Sequence, residues 1–134
     1  MDEDRRKVVV GALTKAREKL GSAQRWFREG QAWDDIVSRA YYAAFHAAQA
    51  MLYAEGLEPK SHHGVMTLFG LHFAKSGKIA PQFARYLKNL KDDREEGDYE
   101  IFSTVTETMT AHALREAAEF VDEAERYLKP LLSK

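Results

Sequence analysis

Cysteine is absent from the 134-residue chain, which removes disulfides, thiolate zinc sites and cysteine nucleophiles together and fits a reducing compartment. Proline occurs three times and glycine eight, so few positions interrupt regular structure. No apolar run approaches the ~20 residues of a membrane span. The amino-terminal stretch carries charge on both sides of Val8, Val9 and Val10 and lacks the apolar core of a secretory signal. A soluble, cytoplasmic protein is expected. Repeats, low-complexity tracts and linkers are also missing, so residues 1–134 are read as a single domain, long enough to bury roughly two-thirds of its unfolded surface.

What is present has helical period. Val9, Leu13, Ala16, Leu20, Ala23 and Phe27 recur at threes and fours, predicting a helix from about Asp4 to Glu29 that stops at Gly30. Asp34 and Asp35 suit the first turn of a second helix, through Ile36, Ala40, Ala43, Ala44, Ala47 and Met51 to Gly56,. After a turn at residues 57–60, Ser61 can cap a third helix through Val65, Leu68, Phe69, His72 and Phe73 to Gly77,. Pro81 opens a shorter fourth helix that ends before Gly97,. The fifth is expected from near Ser103 until Pro130 breaks it,. Short connections between long amphipathic helices predict an all-α fold, an antiparallel four-helix up-and-down bundle with an extra short helix.

The string Ser38-Arg39-Ala40-Tyr41-Tyr42-Ala43-Ala44-Phe45-His46-Ala47-Ala48 resembles the signature helix of small prokaryotic HEPN proteins. Lys60-Ser61-His62 with Gly64, then Arg94 with Gly97-Asp98-Tyr99, and the alanine-rich last helix are similar to the rest of that family from about Asp34 to Leu128. The resemblance implies a HEPN-like bundle, often a homodimer. It also implies an association with RNA or nucleotides and, frequently, pairing with a small nucleotidyltransferase in toxin–antitoxin systems. Ribonuclease members of the family work without metal, through an arginine followed, after about half a dozen residues, by a histidine. Arg39 and His46 alone satisfy that spacing here.

The chemistry of such a pair stands apart from the resemblance. A histidine titrating near neutrality can take the proton of a ribose 2′-hydroxyl, and an always-charged, fork-shaped arginine can hold a phosphate as charge builds on it. Seven residues are nearly two helical turns, so Arg39 and His46 share a face with Cα atoms about 10 Å apart. Tyr42 lies between them in a supporting place, and Gln49 and Tyr53 extend the stripe. The same residues also suit a buried or dimer-facing polar stripe, and the tyrosine set Tyr41, Tyr42 and Tyr53 suggests a homodimer contact.

Net charge is only −1, yet it is unevenly placed. Pro59 to Lys91 contains no acidic residue but holds Lys60, Lys75, Lys78, Arg85, Lys88 and Lys91, whereas Asp92 to Glu125 carries twelve Asp or Glu against Arg94 and Arg115. The basic stretch can attract phosphate, with Lys60, Ser61, His62, Lys75 and Lys78 as a candidate nucleotide- or RNA-binding set beside a helix start. It can equally neutralise the acidic stretch, within one bundle or across a dimer. The HExxH string, the EF-hand order, glycine-rich phosphate loops and the GxSxG elbow are all missing, so neither a metal nor another cofactor is expected. Three function classes stay open: a partner module for a nucleotidyltransferase, a metal-independent ribonuclease, and a non-catalytic nucleotide- or RNA-binding domain.

Overall fold

The computed structural model describes residues 1–30 and 32–134. Five α-helices follow in order: α1 Glu3–Glu29, α2 Trp33–Ala54, α3 His62–Phe69, α4 Gln82–Tyr99 and α5 Glu107–Leu132, with a π-helical segment Gly70–Lys75 continuing α3. Among the described residues there is no strand. No helix is long and apolar enough to cross a membrane.

The ends of α1 follow from local chemistry. Asp2 accepts from the Arg5 backbone N–H at 2.7 Å, and Gly30 takes the left-handed conformation, φ 72°, that closes the helix,. Ser61 caps α3 in the same way as Asp2 caps α1, its Oγ accepting from Gly64 N–H at 2.9 Å.

Long-range contacts set the directions of the four long helices. Arg6 at the start of α1 donates to the carbonyls of Leu132 and Lys134 at the end of α5. At the far end of the molecule Ser103, after α4, donates to Asp34 at the start of α2 at 2.6 Å. Asn89 of α4 reaches Glu116 of α5, and Glu55, after α2, meets Tyr127 of α5. Helices α1, α2, α4 and α5 therefore run up, down, up and down. The α2 and α5 helices, parallel across the diagonal, also pack on each other. Ala40, Ala43, Ala44, Ala47 and Ala48 of α2 and Ala113, Ala117 and Ala124 of α5 are all fully buried. Methyl-sized side chains let backbones approach closely. Phe69, Phe73, Phe120, Met51, Leu87 and Leu90 fill the wider spaces, each stabilising by about 1.5–3 kcal/mol relative to exposure.

Three boundaries differ from those expected of the sequence. Helix α4 runs through Gly97 to Tyr99. A Cβ at Gly97 would lie 3.3 Å from the Cα and Cβ of Asp34, so this glycine serves the close approach of α4 to the start of α2 and stops nothing. Helix α5 begins at Glu107, not near Ser103: Thr106 is the cap, accepting from Met109 N–H at 3.1 Å, while Ser103 is spent on Asp34 and on the Val105 N–H. Pro130 does not break α5, which continues to Leu132. Its missing N–H frees one carbonyl in an exposed last turn, where water can satisfy it. Meanwhile Leu131 and Leu132 pack on the core and Arg6 holds the end in place,. The third helix likewise widens into the π-helical segment. Phe69 and Phe73 both stay buried, their rings 5.2 and 5.3 Å from Phe120 and Tyr127.

Candidate functional site

Helix α2 is the most buried element, and one strip of it is not. Arg39, Tyr42, His46, Gln49 and Tyr53 are half-buried while their neighbours are inside. The strip is flanked by α1 on one side and by the starts of α3 and ends of α4 on the other. Tyr41, expected beside Tyr42 and Tyr53 in a dimer contact, is instead completely buried. It belongs to the core and to the support of the site, so a dimer contact through it is ruled out.

Tyr42 is the meeting point. Its ring centroid lies 6.2 Å from His46 and 5.7 Å from His62, and the Arg94 guanidinium carbon stands 5.6 Å from it. His62 stacks on Phe45 at 4.3 Å, and its Nδ1 lies 2.8 Å from the Tyr41 hydroxyl. His46 Nδ1 lies 2.8 Å from Gln49 Oε1. An amide oxygen only accepts, so Nδ1 of His46 carries the proton and Nε2 keeps a free lone pair. Burial lowers the pKa of His46, and Lys15 and Lys19 of α1 and His62 push it the same way against the Gln49 hydrogen bond. Burial, Arg94 and Lys91 lower that of His62. Both rings are therefore neutral at pH 7. The Tyr41 phenol, pushed up to about 12 mainly by burial, keeps its proton.

Arg94 completes the cluster and is the residue that sequence reasoning did not place in a site. Its side chain is 13% exposed. Its guanidinium stands 4.9 Å from the Tyr41 ring and 6.0 Å from that of Tyr99, and its ion-pair partner, Asp98, is at 3.3 Å. The Nε is buried with no hydrogen-bond partner. An unmet donor costs about 1–3 kcal/mol, which cation–π contacts of about 0.5–2 kcal/mol each can offset. The available signal was positional. Phe83, Leu87 and Leu90 are the buried residues of α4, and four residues beyond Leu90 the same stripe puts Arg94 against the core.

The other expected site residues separate into two places. Arg39 shares the strip with His46 but is engaged with α1, its guanidinium carbon 4.6 Å from the Trp26 ring centre and its Nη1 3.4 Å from Ser22 Oγ. The two tryptophans thus have different roles: Trp33 packs on Phe27 at 5.6 Å, while Trp26 seats Arg39. Lys60 is exposed and Ser61 is occupied by its own cap. Lys78 pairs with Glu55 at 3.7 Å, at the far end of α2 and ten residues, about 15 Å, from Phe45 and its His62. Lys75, also exposed, closes the π-helical segment at that far end. Only His62 of the basic set reaches the Tyr42 cluster.

A separate cleft between α4 and α5 is lined by Asp92, Asp93 and Glu116 with Asn89 and His112. Its carboxylates would repel a phosphate. Among the described residues no group of three or more His, Asp or Glu is placed to hold a metal ion.

Comparison with known proteins agrees with this architecture. The chain is 35% identical, over 98% of its length and 97% of the relative's, to a Methanocaldococcus jannaschii protein provisionally named a toxin. It is 28% identical over 96% of both chains to a UPF0332 protein of Thermotoga maritima. With a UPF0332 protein of Pyrococcus horikoshii it shares 46% identity across 58% of this chain and 54% of that one. The HEPN domain model matches residues 10–127, and the chain therefore belongs to the HEPN domain family.

Proposed function

We propose that this protein is the RNA-directed, toxin-type member of a pair whose other member is a small nucleotidyltransferase, and that its phosphodiester site is formed by His46, His62 and Arg94 around Tyr42. The observation that carries the reading is the convergence of two neutral imidazoles and one nearly buried guanidinium on a single ring. The toxin name of a full-length relative points the same way.

The chemistry balances without a metal. Nε2 of His46 takes the proton of a ribose 2′-hydroxyl, and the oxygen attacks the adjacent phosphorus to form a cyclic phosphate. The departing 5′-oxygen receives a proton from Nε2 of His62 in its cationic form, the minority form at pH 7, in which Nδ1–H donates to the Tyr41 hydroxyl; His46 and His62 then return to their starting forms by proton exchange with water. Arg94 holds the charge that builds on the phosphate oxygens, in surroundings dry enough to strengthen that attraction. Arg39, seated on Trp26 along the same strip, guides the neighbouring phosphate.

The test is cleavage of single-stranded RNA in excess chelator by wild type, His46→Ala and Arg94→Lys, each shown to be folded by circular dichroism. Wild type should cleave, and His46→Ala should lose at least about 100-fold in rate, the usual contribution of a general base. Arg94→Lys, retaining charge but not the fork, should fall between them. Equal cleavage by wild type and His46→Ala, or none by folded wild type, would sink the assignment.

A further inference from the structure

The connection from α4 to α5 presents apolar side chains to solvent. Tyr99, the last residue of α4, is 69% exposed, Ile101 91% and Phe102 89%. Single apolar residues on a surface need no explanation, but three within four residues form the kind of patch that marks a binding surface. The backbone beneath them is braced. Ser103 donates to Asp34 at 2.6 Å, the Val105 N–H donates to Ser103 at 3.1 Å, and Thr104 donates to Glu96.

Position gives the patch its chemistry. The Arg94 guanidinium carbon stands 5.6 Å from the Tyr42 ring and 6.0 Å from the Tyr99 ring, so one cation borders both the histidine cluster and the tip. Asp34, which anchors Ser103, lies five residues before Arg39 on α2, about 8 Å along the helix. The tip therefore adjoins the Arg39 end of the strip. Asp98 and Glu100, in the same segment, are exposed and would repel a run of phosphates across the tip. A ligand here must turn an uncharged face to the rings while its phosphate stays at Arg94. A nucleobase does this within a single nucleotide, because every base has a π-face that an aromatic side chain can stack.

We propose that Tyr99 and Phe102 form a stacking platform for an unpaired nucleobase, that of the nucleotide whose phosphate Arg94 holds. The two residues then set the substrate class as single-stranded RNA. This rests on the phosphodiester site around Tyr42 and deepens it. A base inside a duplex is already stacked and paired, so it cannot lie on these rings without leaving its helix. Discrimination comes from access to the base and not from charge, since single and double strands both offer phosphates to Arg94.

Binding is read apart from cleavage with a short labelled strand whose riboses are 2′-O-methylated, so that the attacking hydroxyl is missing, and with the same strand stripped of its bases. By fluorescence anisotropy, wild type should bind the base-bearing strand at least about fivefold more tightly than the base-free one. Tyr99→Ser with Phe102→Ser, changes at exposed positions with folding checked by circular dichroism, should bind both strands alike. The base-free strand reports any indirect effect on Arg94. Tyr99→Trp with Phe102→Trp keeps two flat rings and should restore the preference. Affinity for a fully paired duplex should be the same in wild type and the serine variant. A wild type that cleaves nothing yet prefers the base-bearing strand through these rings would remove the catalytic roles of His46 and His62 and uphold the platform. A wild type without the preference, or a serine variant that keeps it, overturns the platform and leaves the apolar tip to a protein partner. So does a serine variant that loses duplex binding to the same extent.

Discussion

Arg94 illustrates how a site residue is decided by what surrounds it. In the sequence it is one cation among Asp92, Asp93, Glu95, Glu96 and Asp98, a run that reads as a solvated helix end. In the structure Asp92 and Asp98 stay exposed while Arg94 packs against three tyrosine rings. His46 was legible from its spacing to Arg39, but its free Nε2 was not, since that depends on Gln49. The two histidines also make stability depend on pH. Burial holds both below the ordinary 6.5, so below 6.5 the unfolded chain binds more protons than the folded one. Their contribution is complete above 6.5 and is lost as pH falls through the lower folded values. The melting temperature should drop between pH 7 and pH 5, and drop less in the double variant His46→Gln, His62→Gln. Equal drops would assign the acid sensitivity to carboxylates. Asp93, raised by burial and by Glu116, acts in the opposite sense at lower pH.

Among the elements, α2 was the most readable, because the alanines that mark its packing face are spaced at the helical period and the structure buries them all. Replacing Ala44, which is fully buried, by Phe should cost ~1–3 kcal/mol by overfilling a tight contact. Thermal melts would show this, and an unchanged midpoint would mean that α2 and its neighbours have room to part. Element ends were less readable. Gly97 and Pro130 are breakers by local propensity, and both lie inside helices because a tertiary contact decides the matter: Asp34 needs the space at Gly97, and Arg6 with the core holds the turn at Pro130. Ser103 and Thr106 are equally good caps in isolation. The pull of Asp34 on Ser103 chooses between them.

For the molecule as a whole, the contacts of α2 with α1, α3, α4 and α5 leave no subset of helices with a core of its own. Unfolding should therefore be a single transition. Trp26 and Trp33 report only on the α1 and α2 end, so their fluorescence and the far-ultraviolet circular dichroism, which sees every helix, should give the same denaturant midpoint. Separate midpoints would show that α4 and α5 melt independently. The exposed ion pair of Arg17 with Asp122 ties α1 to α5, but such pairs contribute little, and the shared alanine and phenylalanine core carries the cooperativity.

Sequence by itself determined that this chain is helical, how many helices it has, and which faces they bury, since these follow from a 3.6-residue period that is local. The string from Ser38 to Ala48 also sufficed to indicate the family, because a run of adjacent residues on one helix is itself a local pattern. Only the tertiary structure decided that His46 and His62 meet on Tyr42, that Arg94 joins them, and that Lys75 and Lys78 do not. Those residues come from different helices, and the distances between helices depend on the volume of every side chain packed between them, which no local pattern encodes.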